Sequence, residues 1–131
     1  MNYKMMDLQG IDQDLVAKLN AAGVSTTSDM IRVWLDRDRR SQVEAHSGLN
    51  GEQFQRMVSM ARMARMRGIG PKYAELLVTA GVIGKKSMAK HTPETLVKRL
   101  AEVQQLHNFK GAMPTASEVE AWFVEAESPN A

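Results

Sequence analysis

The sequence predicts an all-α protein of seven or eight short helices built on one core. Three observations predict it. No stretch alternates apolar and polar residues over a useful length, as a half-buried strand would. Apolar residues instead recur three and four apart, between helix-capping residues and glycine or proline stops. One segment also repeats another: Leu8, Gly10, Ile11, Leu19, Ala22, Gly23 and Val24 align with Met66, Gly68, Ile69, Leu77, Ala80, Gly81 and Val82. Every pair is 58 positions apart, and a constant offset marks an internal duplication.

The elements follow in order. Leu15, Val16, Leu19 and Ala22 make a helical stripe that stops at Gly23. A second helix starts between Thr26 and Ser28 and carries Met30, Ile31, Trp34 and Leu35. Residues Asp36 to Arg40 read as a polar connection or an exposed helix start, and a helix then runs to about Ala45, before Gly48. Asn50 with Gln53 three later is a capping box. It opens a helix bearing Phe54, Met57, Val58, Ala61 and Ala64, with methionines also at 60, 63 and 66. That wide apolar arc predicts a central, well-covered helix.

After Gly70 a helix takes Tyr73, Ala74, Leu76, Leu77 and Ala80 and ends at Gly81. A brief helical turn fits Lys86 to Lys90. Thr92 and Pro93 form an N-cap and first-turn proline, with Leu96, Val97, Leu100 and Val103 as the inward stripe. Gly111 and Pro114 break the chain. Thr115 and Glu118 form another capping box, before Val119, Trp122, Phe123 and Ala126. The chain divides into a first half at 1–49, a central helix with a second half at 50–127, and a tail at 128–131 that should fray.

Composition narrows the function classes. At 131 residues the chain is one domain, or two small halves on one core. Without cysteine there is no disulfide, zinc-thiolate site or thiol nucleophile, which fits a reducing, cytoplasmic setting. No apolar run reaches signal-peptide or membrane-span length. The three histidines, His46, His91 and His107, lack the i, i+4 spacing of a metal pair. No hydrolase or phosphate-loop signature appears. The expectation is therefore a binding module: not an enzyme, with no cofactor, no metal and no small-molecule substrate.

The residues that carry chemistry lie between Met66 and Leu77. Gly68 and Gly70 flank Ile69, then Pro71 and Lys72 open a helix. The glycines permit a turn at positive φ and leave the backbone uncovered. Pro71 suits the first helical position, where its missing N–H is not needed. Amides of such a turn, next to a helix N-terminus, can hold an anion such as phosphate. Charge agrees locally. The net charge is only +2, yet no acidic residue occurs from Gln53 to Ala74, where Arg56, Arg62, Arg65, Arg67 and Lys72 all fall. The first copy differs: Gly70, Pro71 and Lys72 are replaced by Asp12, Gln13 and Asp14. Those carboxylates repel phosphate, while Asp12 is a good N-cap.

The stretch resembles the helix-hairpin-helix motif: apolar Met63 and Met66, then Gly68-Ile69-Gly70, small Ala74, then Leu76 and Leu77. The resemblance implies two such units in tandem, a SAM-like arrangement sharing one core. It implies that the hairpin grips a DNA phosphate through backbone N–H groups without reading sequence. In some members the hairpin carbonyls also hold a monovalent cation. The whole chain, over residues 6 to 127, resembles a bacterial family of unknown function built from tandem units of this kind. That family brings a fold expectation and no activity.

Two partners fit these readings. Duplex DNA would be held weakly through backbone phosphates by Gly68, Ile69, Gly70 and Pro71, with charge from Arg62, Arg65, Arg67 and Lys72. A single bend neutralising about two phosphates implies a salt slope near −2. A protein partner, or self-association, is the alternative. It draws on the modest net charge, the acidic first bend and the methionines at 57, 60, 63 and 66, although methionines at helical spacing more often fill a core. Residues Val43 to Val58 also resemble a helix-turn-helix, but Glu44 stands where that motif needs a small residue, and an ordinary helix connection is the better reading.

Overall fold

Caps written into the sequence set most of the helix starts. The computed structural model describes residues 1–127; the tail expected to fray from Ser128 lies outside the described residues. A single 3-10 turn at Met5–Asp7 precedes α1 (Gln13–Ala21), α2 (Thr27–Leu35), α3 (Arg37–Ser47) and α4 (Gly51–Ala64). Then follow α5 (Gly70–Thr79), α6 (Lys85–Met88), α7 (Pro93–Leu106) and α8 (Ala116–Glu127). The fold is all-α. The described residues contain no strand, only an isolated bridge between Lys4 and Thr26. None of their helices is long and apolar enough to cross a membrane.

Asp12 caps α1, its Oδ1 accepting from the N–H of Asp14 at 2.9 Å. Asp36 caps α3 in the same way, so the polar segment 36–40 is a helix start and not a connection. The Asn50–Gln53 box closes in both directions, at 2.7 and 3.0 Å. The Thr115–Glu118 box does so too, at 3.1 Å each way. The 3-10 turn at the N-terminus carries no signal in the sequence, being shorter than one helical period.

The duplication is legible in the backbone hydrogen bonds. Leu8 N–H donates to Met5 and Ile11 N–H to Leu8; 58 residues on, Met66 donates to Met63 and Ile69 to Met66. Val24 N–H donates to Leu19 at 2.9 Å, and Val82 N–H to Leu77 at 2.8 Å. Gly10 and Gly68 have φ of 79° and 88°. Met5 and Met63 are both fully buried, as are Met30 and Met88. The register persists from Met5 to Met30 and from Met63 to Met88. It lapses where α6 stops after one turn while α2 continues.

One core serves the whole described chain. The central helix α4 packs against α2 and α5, while α8 lies on α7. Phe54, Met57, Val58, Met60, Ala61, Met63 and Ala64 of α4 are buried, so its methionines fill the interior and present no adhesive face. Two apolar residues face outward, and the second, Val97, corrects an inward assignment. Leu35 is 74% exposed, because the buried stripe of α2 runs Thr27, Met30, Val33. Leu35 stands about 200° round the helix from Val33. Val97 is 37% exposed, about 100° off Leu96 in the stripe Leu96, Leu100, Val103.

The two glycine bends touch. Gln9 N–H, in the first bend, donates to the carbonyl of Pro71 at 3.0 Å. The Glu75 carboxylate of α5 lies over Gly10 where a Cβ would stand.

Candidate functional site

α4 runs to Ala64, the chain turns through Arg65–Ile69, and α5 starts at Gly70 with Pro71 in its first turn. Ile69 is buried and anchors the turn from below, so of the residues singled out it is a structural pin. Gly68 and Lys72 are exposed, and Gly70 and Pro71 half-buried. Gly68 and Gly70 both have positive φ, 88° and 64°. Among the described residues, no protein acceptor is engaged by the N–H groups of Gly68, Gly70 and Lys72. Three unpaired donors therefore cluster at one helix N-terminus, where the partial positive charge of the helix also falls.

The four cations meet different neighbours. All four are exposed. Arg65 Nε donates to the carbonyl of Met1 at 3.2 Å, which ties it to the N-terminal segment. Arg62 makes no ion pair among the described residues. Lys72 Nζ lies 5.4 Å from the centroid of the Tyr73 ring. Arg67 meets Glu125 of α8 at 3.8 Å.

α8 is the component the linear reading missed. Trp122 is buried and donates its indole N–H to the carbonyl of Gly68 at 2.9 Å. Its ring packs on Tyr73 at 5.5 Å between centroids, tilted 55°. The Tyr73 hydroxyl donates to Glu118, at 3.0 Å to Oε2 and 3.3 Å to Oε1. The Thr115 backbone N–H holds the Glu118 carboxyl below the usual range, helped by the Tyr73 hydroxyl and by Lys72 nearby. Tyr73 shifts the other way: burial and then the Glu118 carboxylate raise it. So the segment that is acid-free in sequence acquires carboxylates in space, from residues of α8. One lone pair of the Gly68 carbonyl is also taken by Trp122, leaving one for any other partner.

The arrangement brings together Arg67, Gly68, Gly70 and Lys72 and leaves one flank of the bend covered by α8. The remaining candidates show no comparable convergence. His46 and His107 are exposed and His91 half-buried. Among the described residues, no group of three His, Cys, Asp or Glu side chains could hold a metal ion. No curated protein and no solved structure matches the chain. Residues 9–128 match the family model of a domain of unknown function, DUF4332, so the match spans both bends and all of α8. The chain belongs to that family.

Proposed function

We propose that the protein is a non-enzymatic binding module that holds nucleic acid weakly by its backbone phosphates, with duplex DNA as the partner. In this reading the bend after Met66 is a helix-hairpin-helix of the kind found in bacterial DNA-binding proteins, acting in the cytoplasm. The observation that carries it is the set of N–H groups on Gly68, Gly70 and Lys72, which engage no protein acceptor. A phosphate satisfies such donors at a helix N-terminus, and exposed cations beside them add attraction without base readout. The first bend contributes nothing of the kind, because Asp12 and Asp14 stand at its lip.

The test is titration of a short labelled duplex at low salt. Wild type should bind with a salt slope of about −2. The Lys72→Glu, Arg67→Glu variant should lose most of that binding. Equal retention by the two proteins would remove the bend from the reading.

The second reading is a protein-interaction adaptor, or self-association, in which both bends are scaffold. It draws on the modest net charge and the acidic first bend. Sedimentation together with a pull-down from lysate decides: a strictly monomeric protein with no co-purifying partner counts against it.

A further inference from the structure

We infer that α8 is an acidic strap that competes with phosphate for the second bend, with Glu125 as its releasable contact. The inference rests on the phosphate reading above and adds a built-in regulator to it.

The two ends of α8 are held differently. Near its start, Glu118 is fixed by Thr115 N–H and the Tyr73 hydroxyl, and Trp122 is buried with its indole on Gly68. These contacts keep the helix on the bend. Near its end, Glu125 reaches Arg67 at 3.8 Å, with the two side chains 34% and 75% exposed. A pair so long and so open to water is weak and readily screened. Glu125 can swing off Arg67 while α8 stays in place.

A phosphate and a carboxylate make the same demand on a guanidinium: two acceptor oxygens facing its planar fork. Glu125 thus occupies the cation that an incoming phosphate would use. Arg67 directly precedes Gly68, whose amide is one of the three open donors. Polyanions, which bring many phosphates at once, displace Glu125 more readily than isolated anions do. The strap therefore sets a threshold for occupancy of the bend.

The experiment compares duplex binding by wild type, Glu125→Gln, Glu120→Gln, Lys72→Glu, Arg67→Gln and the Glu125→Gln, Arg67→Gln double variant, each checked for helicity and Tm. Glu120 is exposed on the same helix and controls for net charge. Glu125→Gln should tighten binding by about two- to fivefold, the worth of an exposed pair. Its salt slope should steepen by about one ion. Glu120→Gln should give a smaller gain, and Glu125→Gln should give none over Arg67→Gln alone. An unchanged Kd in Glu125→Gln, with Lys72→Glu still weakening binding, overturns the strap and leaves the phosphate reading standing. A gain from Glu125→Gln that persists without Arg67, or is matched by Glu120→Gln, also overturns the strap. Absence of duplex binding in wild type and in Glu125→Gln removes both.

Discussion

Asp29 and Ser87 stand 58 positions apart and perform the same task. Asp29 Oδ2 accepts the N–H groups of Ser25 and Thr26, each at 3.1 Å. The Ser87 hydroxyl accepts those of Ile83 and Gly84, at 2.9 and 3.1 Å. One position has kept a carboxylate and the other a hydroxyl, yet the bonds they satisfy occupy the same register. Capping contacts of this type are worth about 0.5–2 kcal/mol. Asp29→Ala and Ser87→Ala should each lower stability within that range in denaturant titrations. The Asp29 effect should fade in acid. Partial burial pushes its carboxyl up, but the bonds from Ser25 and Thr26 outweigh it and the net shift is down. A depressed carboxyl stabilises above its unfolded value and loses that contribution as pH falls through the folded one.

Trp122 joins the last helix to the bend by both ring packing and one hydrogen bond. Trp122→Ala removes a buried ring and should cost about 3–5 kcal/mol. Trp122→Phe keeps most of the volume and loses the bond to Gly68, at about 0.5–1.5 kcal/mol. Thermal unfolding of the two variants should rank in that order. A Trp122→Phe variant that keeps the wild-type Tm would mean the Gly68 carbonyl needs no indole partner.

Gly68 and Gly81 share φ of 88° but not surroundings. A Cβ at Gly81 would meet nothing within 4 Å, while one at Gly68 would lie 3.2 Å from Cδ1 of Trp122. Gly81→Ala should therefore cost only the backbone term, about 1–2 kcal/mol. Gly68→Ala should cost more, because a tethered indole must shift. Urea midpoints of the two variants make the comparison, and a smaller loss for Gly68→Ala would contradict it.

The Tyr73–Glu118 contact predicts a pH window. Glu118 is depressed, chiefly by the Thr115 N–H, so its contribution is present above the unfolded carboxyl value and is lost as pH falls through the folded one. Tyr73 is raised, so its contribution is present below about pH 10 and is lost as pH rises through the folded value. Tm should peak between these limits. Tyr73→Phe should lower Tm at neutral pH, and its gap from wild type should narrow in acid. A gap independent of pH would dissociate the two residues.

The helices were legible because their caps are local. Asn50–Gln53 and Thr115–Glu118 act within four residues, and their side chains need no distant partner to be recognised. The repeat was legible because bends at positive φ leave glycines at a fixed spacing. The candidate site was only half legible. Gly68, Gly70 and Lys72 declare an open turn in sequence, but Trp122, Glu118 and Glu125 arrive from another helix, and no periodicity connects them to residue 68. The outward face of Val97 was missed for a related reason. A stripe is set by which side meets a neighbour, and single apolar residues beside it carry no such information.

The bond from Gln9 to the Pro71 carbonyl reaches across the duplication and ends on the opening turn of α5. Each copy of the repeat thus completes the other: apart, the second bend would lack a donor and the first a covering. Doubling here yields an interlocked pair instead of two independent beads on a string.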